Sequence, residues 1–284
     1  MTTFSADWLA LREPHDARAR NRKVLEALAD HVNGRGAIGV VDLACGTGST
    51  LRATAAGLVP RQDWRLVDND LGLLARAGAM TTPECASIST VPVDLARDLE
   101  MALDGPIDLV TTSALLDLVS ATWLDRLIVE TATRTLPLYA ALTYDGEVML
   151  DPADPLDEAV IAAVNRHQGG DKGFGPALGP VAALTAIRGF ERAGYVVISG
   201  KSDWVVGRAD QTFQAALVAG WSVAAREIGD ISSAEIAAWV TRRGNWIAAG
   251  RSRMRVGHVD LFAQPTGRRW VDRSQSNSTS SPSG

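Results

Sequence analysis

The feature that most restricts the fold of this chain is a run of β-branched and apolar residues leading directly into a turn of small residues. The run Gly39-Val-Val-Asp-Leu-Ala-Cys-Gly-Thr-Gly-Ser49 predicts a buried strand, a glycine turn and a helix that begins near Thr50. Glycine lets the backbone approach a ligand closely, and the first amides of a helix have no partner within the helix. The turn therefore predicts a ligand-binding edge on an α/β sheet.

A second strand candidate ends in an acidic residue, twenty residues after the last glycine of the turn. The segment Trp64-Arg-Leu-Val-Asp68 places a carboxylate where it would meet the ribose hydroxyls of a nucleoside ligand. Asp70 stands at the better position for capping the apolar helical segment that follows. We therefore interpret Asp68 as a ligand-binding residue, with helix capping as the alternative.

Short β-type runs alternate with helical patterns along most of the chain. The strand candidates are Ile38–Leu43, Trp64–Val67, Ile88–Val93, Ile107–Thr112, Tyr139–Thr143, Tyr195–Ser199 and Val256–Ala263. This alternation predicts an α/β sheet with helices on both faces. We expect a helical arm over residues 1–35, two inserted helices within residues 205–252, and a disordered tail over the serine-rich residues 274–284.

Two ligand classes use a glycine turn of this kind. A dinucleotide-binding turn has the pattern G-x-G-x-x-G, but Leu51 stands at the position of the third glycine. Asp42, which precedes the turn, would add negative charge beside a pyrophosphate and suits a cationic or amine-bearing ligand better. A nicotinamide-dependent oxidoreductase remains the alternative from a different functional class.

At these residues the chain resembles the class I S-adenosylmethionine-dependent methyltransferases. The first motif of that family is matched by Asp42-Leu-Ala-Cys-Gly-Thr-Gly48, with Ala44 in place of the first glycine. Further motifs follow in the order of the family, so that the resemblance covers about residues 36–145. They are Asp68 with Asn69, Val93-Asp94-Leu95, and Ile107-Asp-Leu-Val-Thr-Thr-Ser-Ala-Leu-Leu-Asp117.

The resemblance implies a Rossmann-like three-layer sandwich over residues 36–265, with a mostly parallel seven-stranded sheet whose last strand is antiparallel. It implies S-adenosylmethionine as the methyl donor and S-adenosylhomocysteine as its product. It also implies that Arg12 or Arg20 of the arm meets the methionine carboxylate. The cofactor-binding residues that we predict are Arg20, Asp42, Ala44, Cys45, Gly46, Gly48, Asp68, Asn69, Asp94, Leu95 and Ser113.

Polar residues near the ends of later elements predict the acceptor side. If the acceptor is a hydroxyl, Asp117 or His167 is the expected base, because burial raises the pKa of a carboxyl and histidine titrates near pH 6.5. The alternatives are a capping role for Asp117 and a solvated His167. Tyr144, His167 and His258 are the predicted substrate-binding residues. We expect methyl transfer to an oxygen or nitrogen of a small molecule, with a protein that binds the cofactor without transfer as the alternative.

Charge and composition restrict the binding partners and the cellular location that we expect. The 28 basic and 33 acidic residues give a net charge of −5, which disfavours nucleic acid as a partner. The chain shows neither a secretory signal nor an apolar run of about 20 residues, so we expect a cytoplasmic protein without membrane contact. A homodimer is left open. We expect His15 and His31, in the polar arm, to be exposed.

Metal and redox chemistry are not expected. Cys45 and Cys85 are too few for a disulfide framework or a cysteine-based zinc site. An acidic group around residue 155 fits the first turn of a helix, where carboxylates oppose the helix dipole, better than it fits a metal site. Its members are Asp151, Asp154, Asp157 and Glu158.

Overall fold

One mixed sheet forms the centre of the fold. The computed structural model describes residues 4–81, 84 and 86–266. Within them the strands are β1 (Ile38–Leu43), β2 (Gln62–Asp68), β3 (Ala86–Pro92), β4 (Leu109–Ser113), β5 (Leu138–Asp151), β6 (Tyr195–Lys201), β7 (Trp204–Val206) and β8 (Arg253–Pro265). Their order in the sheet is β3-β2-β1-β4-β5-β8-β6, and the short β7 pairs with β8. Strands β1 to β5 run parallel to one another, whereas β8 is antiparallel to β5, β6 and β7.

Helices connect the strands and cover both faces of the sheet. Two short 3-10 turns, Ala55–Gly57 and Gly179–Val181, accompany them. The helices are α1 (Ala6–Ala19), α2 (Arg22–Val32), α3 (Ser49–Thr54), α4 (Leu71–Gly78), α5 (Leu99–Ala102), α6 (Ala121–Thr133), α7 (Asp157–Gln168), α8 (Ala182–Arg192), α9 (Gln211–Ile228) and α10 (Ser233–Ala248).

The predicted fold class is confirmed, and the described residues contain one more strand than expected. All seven predicted strands are present, and β8, the last, is antiparallel. The eighth strand is β7, which is only three residues long and gives almost no periodic signal. Helices α1 and α2 form the predicted arm, and α9 and α10 form the two-helix insertion. The boundaries at residues 35 and 265 stay predictions, while Cys85 and the tail 274–284 lie outside the described residues.

Three clusters of buried side chains hold these layers together. One lies on each face of the sheet, around Leu43 and Val110 on one side and around Val40 and Trp64 on the other, because side chains alternate along a strand. The third cluster lies beyond the carboxyl edge, where β5 runs eight residues past its predicted end. There α7, α9 and α10 pack against β5, β7 and β8.

The arm is packed against the insertion. His15 of α1 stacks on Phe213 of α9 with ring centroids 3.9 Å apart. Trp204 Nε1 of β7 donates to Asp16 Oδ1 at 2.9 Å. The expectation of exposed arm histidines is wrong, since His15 is buried and His31 half-buried. The aromatic ring that stacks on His15 belongs to Phe213, far away in sequence, and no local pattern reveals this contact.

The acidic group around residue 155 pairs with arginines of α10. Asp157 and Glu158 stand in the first turn of α7, as predicted, and Asp157 pairs with Arg243. Asp154 lies before the helix and accepts two hydrogen bonds from Arg242, at 2.5 and 2.9 Å. Within the described part of the chain, no three His, Cys, Asp or Glu residues are grouped as a metal site would require. None of its helices is long and apolar enough to cross a membrane.

Candidate functional site

The turn after β1 folds back so that its amides face β2. Ala44, Gly46 and Gly48 have φ values of 53°, 55° and 83°, in the left-handed region that favours glycine. The Cys45 N–H donates to Val67 O at 2.9 Å, and the Gly48 N–H donates to Cys45 O at 2.8 Å. These bonds close the turn tightly, so that only small side chains fit along it.

Asp68, at the end of β2, joins this turn to the next one. Its Oδ2 accepts from the Gly46 N–H at 2.9 Å, and its Oδ1 accepts from the Asp70 N–H at 3.0 Å. Asp70 caps α4, because its Oδ1 accepts from the N–H groups of Gly72 and Leu73. The capping role therefore belongs to Asp70, and the carboxylate of Asp68 organises the turn instead.

A cavity of about 810 Å³ lies along the carboxyl edge of the sheet. Side chains from the ends of β1 to β3 line the part that we call the turn half. Side chains from the β4 and β5 regions, β7, β8 and α9 line the part that we call the aromatic half. The turn half comprises Ala44, Gly46, Asp68, Asn69, Leu73 and Leu95, and the aromatic half comprises Asp117, Tyr144, Trp204, Leu217, Trp221 and His258.

Six of the eleven predicted cofactor residues line this cavity, namely Ala44, Gly46, Asp68, Asn69, Leu95 and Ser113. Among the other five, the Cys45 side chain is buried in the core, and Gly48 begins α3 against Met80. Asp94 stands in sequence between Val93 and Leu95, which both line the cavity. Its carboxylate faces its own loop, because Oδ1 accepts from the Ala96 N–H at 3.1 Å and Oδ2 is 3.7 Å from Arg97 Nε. The predicted adenine-binding role of Asp94 is untested and stays a prediction.

Asp42 lies beneath the turn and is fully buried. Its Oδ1 accepts from Thr111 Oγ1 at 2.8 Å, while its Oδ2 has no hydrogen-bond partner among the described residues. Burial raises the pKa of Asp42 to about 7, although the Thr111 hydroxyl and the Arg20 charge act in the opposite direction. The side chain of Asp42 supports the turn from behind and does not line the cavity.

The two arm arginines occupy different places. Arg20 is buried, and its Nη1 donates to the Tyr139 hydroxyl at 3.1 Å and its Nη2 to Ser113 Oγ at 3.0 Å. Arg20 therefore touches a lining residue without lining the cavity itself. Arg12 does line the cavity, with its Nε bonded to Asp16 Oδ2 at 2.8 Å and its Cζ 5.0 Å from the ring centre of Trp204.

Asp117 brings a carboxyl into the aromatic half. It is 5% exposed, and its Oδ1 is buried without a hydrogen-bond partner among the described residues. Burial raises the pKa of Asp117 to about 6, and the nearby backbone N–H groups of Asp117 and Tyr144 together with Arg12 limit that rise. A carboxyl with this pKa changes charge close to neutral pH.

His258 lies beside Tyr144 in the same half, since the two residues are register partners in β8 and β5. The His258 Nδ1 is 3.0 Å from Val256 O, and because a carbonyl only accepts, Nδ1 carries the proton. Burial lowers the pKa of His258 to about 3, so the ring is neutral and Nε2 is a hydrogen-bond acceptor. The Tyr144 hydroxyl donates to Asn165 Oδ1 at 2.7 Å.

His167 borders the cavity at the end of α7. Its Nε2 lies 2.7 Å from Glu227 Oε2 of α9, and its Nδ1 lies 3.4 Å from Lys172 Nζ. Both ring nitrogens are thus engaged by charged neighbours. The contact with Glu227 links the end of α7 to the insertion.

Sequence reasoning missed most of the aromatic wall. Trp8, Phe174, Trp204 and Trp221 line the cavity, although none belongs to a motif. The sequence predicts two inserted helices within residues 205–252, and Trp221 lies on the buried side of the first of them, α9. Periodicity identifies an apolar face, but it does not identify which surface that face covers.

Comparison with known proteins adds a likeness of fold only. No family model and no curated protein matches the sequence. Among solved structures, the chain is similar to a cyclopropane synthase from Mycobacterium tuberculosis, with 10% identity, 92% of this chain and 95% of that chain covered, and a TM-score of 0.48. The chain is also similar to an S-adenosylmethionine-dependent methyltransferase from Thiobacillus denitrificans in complex with S-adenosylhomocysteine. The two are 14% identical, the match covers 93% of this chain and 100% of that chain, and the TM-score is 0.43. For the [4+2]-cyclase SpnF the identity is 17%, the match covers 86% of this chain and 82% of that chain, and the TM-score is 0.41. Likenesses this weak carry no argument about activity.

Proposed function

We propose that this protein is an S-adenosylmethionine-dependent methyltransferase that methylates an oxygen or nitrogen atom of a small-molecule acceptor. The observation that carries the proposal is the position of the Asp68 carboxylate. It lines the cavity beside Ala44 and Gly46 and is held by the Gly46 amide at 2.9 Å. A carboxylate that ends the second strand beside a small-residue turn is suited to the two hydroxyls of a ribose.

The hydrogen-bonding capacity of Asp68 fits this role. A carboxylate offers about four lone-pair sites, and the amides of Gly46 and Asp70 occupy two of them. The remaining capacity matches the two hydroxyl donors of a ribose. Because those two amides hold the carboxylate in place, it needs little reorganisation when a ligand binds.

The rest of the turn half suits a purine ring and its substituents. Leu73 and Leu95 give this part apolar walls. The cavity volume of about 810 Å³ lies in the upper part of the range of about 300–1,000 Å³ for small-molecule sites. A nucleoside cofactor and a second small molecule can therefore share it.

The arm offers one cation to a ligand. Arg12, rather than Arg20, is our candidate for the methionine carboxylate, because Arg12 lines the cavity and the Arg20 side chain binds Tyr139 and Ser113. Among the described residues, Arg12 donates a hydrogen bond only through Nε, which leaves the forked end of the guanidinium available.

When bound, the cofactor would supply an electrophilic methyl group on a sulfonium sulfur. The chain would contribute alignment, exclusion of water by the aromatic walls, and a proton acceptor where the acceptor needs one. Asp117 is our candidate for that proton acceptor, because its Oδ1 is unpartnered and its pKa is raised by burial to about 6. His167 is less suited, because both of its ring nitrogens face charged neighbours.

A dinucleotide-dependent oxidoreductase has less support. A pyrophosphate would need the first amides of the helix after the turn. Gly48, Ser49 and Thr50 stand at the start of that helix, and they are not among the described residues that line the cavity. Helix α3 is also short, with six residues.

Thermal unfolding with added ligands tests the cofactor. At a ligand concentration of 100 times Kd, binding stabilises the folded state by about 2.7 kcal/mol. For a chain of this size, with an unfolding entropy of about 0.6 kcal/mol/K, that corresponds to a rise in Tm of about 5 °C. We expect the rise with S-adenosylmethionine and S-adenosylhomocysteine and none with NAD or NADP. A rise with NAD or NADP alone would overturn the proposal.

A labelled-methyl assay tests the transfer itself. The protein is incubated with methyl-labelled S-adenosylmethionine and a small-metabolite extract, and the products are separated by chromatography. We expect a new labelled small molecule that is absent from the Asp68→Ala reaction. Cofactor binding without any labelled product would instead favour a protein that binds the cofactor and does not transfer the methyl group.

A further inference from the structure

The aromatic half of the cavity combines flat apolar walls with buried hydrogen-bond acceptors. Trp204 is the centre of this arrangement. The ring centroids of Trp204 and His258 are 4.5 Å apart, and Arg12 Cζ lies 5.0 Å from the ring centroid of Trp204. The rings of Tyr144 and His258 are 6.0 Å apart. Leu217 and Trp221 of α9 complete the lining.

One buried acceptor in this half is unpaired among the described residues. Asp117 is 5% exposed, and its Oδ1 has no hydrogen-bond partner within the described part of the chain. The neighbouring His258 is 4% exposed, and its hydrogen bond to the Val256 carbonyl uses Nδ1 rather than Nε2. Because a buried polar group without a partner is destabilising, the Asp117 carboxyl indicates a ligand that supplies a donor.

The backbone holds these two groups on either side of one residue. The backbone N–H of Tyr144 lies near the Asp117 carboxyl, and His258 is the register partner of Tyr144 in the neighbouring strand. The Tyr144 hydroxyl is already used by Asn165 and the Trp204 indole N–H by Asp16. Tyr144 and Trp204 therefore have their hydrogen-bond donors engaged within the protein, and they offer a bound molecule their ring surfaces.

We propose that the acceptor is a phenol, a planar aromatic ring bound in the aromatic half with its hydroxyl donating to Asp117. This inference rests on the proposed function and assigns its substrate class. A flat ring matches walls made of Trp204, Trp221 and Tyr144, since aromatic rings pack favourably against one another in offset-stacked and edge-to-face arrangements. The His258 Nε2 offers a second acceptor for a polar ring substituent or a water molecule.

A phenol accounts for Asp117 better than an aromatic amine does. A neutral amine attacks with its own lone pair and needs no base, whereas a neutral hydroxyl reacts well only as its proton is removed. In the balanced reaction the O–H bond breaks and its proton goes to Asp117, while an oxygen lone pair forms the new O–CH₃ bond. The S–CH₃ bonding pair stays on the sulfur of S-adenosylhomocysteine, and Asp117 later returns the proton to water.

Binding of 4-nitrophenol without cofactor tests the substrate class. Its absorbance quenches tryptophan fluorescence, and Trp8, Trp204 and Trp221 all line the cavity. We expect 4-nitrophenol to bind at least tenfold more tightly than 4-nitroanisole, which lacks the hydroxyl donor. Cyclohexanol, which has the hydroxyl without the aromatic ring, should not displace it. Equal affinity for 4-nitrophenol and 4-nitroanisole, or displacement by cyclohexanol, would overturn the inference.

Two variants locate the probe. Trp221→Leu removes an aromatic wall and should weaken 4-nitrophenol binding about tenfold. Trp246→Leu is the matched control, because Trp246 lies against Arg243 on α10 and does not line the cavity. If both variants weaken binding equally, the aromatic half is not where the phenol binds.

The colour of ionised 4-nitrophenol reports on Asp117 separately. A neighbouring carboxylate disfavours a phenolate, so the bound probe should ionise at a higher pH in the wild type than in Asp117→Asn. An unchanged midpoint would show that the hydroxyl does not face Asp117.

Parallel titration with S-adenosylhomocysteine separates the two proposals. Cofactor binding without phenol selectivity overturns the substrate class alone. Phenol selectivity without cofactor binding overturns the proposed methyltransferase and leaves the phenol site standing.

Discussion

Replacing Asp68 by alanine should weaken S-adenosylhomocysteine binding by about 1.5–3 kcal/mol. The carboxylate lines the cavity, and a charge-assisted hydrogen bond contributes about 1.5–3 kcal/mol. Since 1.4 kcal/mol is a factor of ten, the expected loss of affinity is about 10- to 150-fold. Isothermal titration calorimetry measures this loss directly.

The same substitution also has a cost in the ligand-free protein. Asp68 accepts the amides of Gly46 and Asp70, and its loss leaves both without these partners. We therefore expect a lower free energy of unfolding, by about 1–3 kcal/mol, in urea denaturation. Titration must be carried out well below the Tm of the variant, so that unfolding does not imitate weak binding.

Asp108→Ala is the matched control for this experiment. Asp108 Oδ2 also accepts a backbone amide, from Gly39 at 2.9 Å, but Asp108 precedes β4 at the opposite edge of the sheet. This variant should lose stability to a similar degree and keep wild-type affinity for S-adenosylhomocysteine. Unchanged affinity in folded Asp68→Ala, or an equal loss in Asp108→Ala, would refute the assignment of Asp68 to the ligand.

Three further predictions address other residues. Arg12→Gln should weaken S-adenosylhomocysteine binding about tenfold in calorimetry, whereas Arg18→Gln, on the same helix but outside the cavity lining, should not. The raised pKa of Asp117, about 6 because of its burial, predicts that kcat/KM for a hydroxyl acceptor rises with pH through about 6, and that Asp117→Asn loses this rise. The folded protein binds the proton of the Asp117 carboxyl more tightly than the unfolded chain does, because the pKa is higher in the folded state. The stability that the protonated Asp117 contributes is therefore complete below about pH 4 and is lost as the pH rises through about 6. Between pH 4 and 7, urea denaturation should therefore show a stability gain of Asp117→Asn over the wild type that grows with pH. Ala44→Gly should raise the Tm, because Ala44 has a φ of 53° and the left-handed region costs an L-residue about 1–2 kcal/mol; an unchanged or lower Tm would contradict this strain.

Deletion of the arm is a poor test of its role in ligand binding. Removing residues 1–20 would expose Phe213 and Trp204, which pack against Trp8 and His15. A truncation would lower stability together with any loss of binding and could not separate the two effects. The single substitution at Arg12 keeps these ring contacts, so it is the cleaner experiment.

The strands and the turn could be predicted from the sequence because their signals are local. Alternating and β-branched residues mark β1 and β2, and the small residues from Ala44 to Gly48 allow three positive φ values in five positions. The carboxyl ends of parallel strands share one edge, so the order of the motifs along the chain was enough to bring Asp68 and Gly46 together. These features depend on neighbours along the chain and on the geometry of a parallel sheet.

Only tertiary packing decided which polar groups face the cavity and how they ionise. Arg12 and Arg20 stand on the same short arm and look equivalent in sequence, yet Arg20 is bound by Tyr139, 119 residues away. His258 is neutral, and Asp117 has a raised pKa, because each is buried among elements that are distant in sequence. Periodicity reports which residues share a face of a helix or strand. The partner of that face, and with it the desolvation that sets each pKa, depends on contacts that form only when the chain is folded.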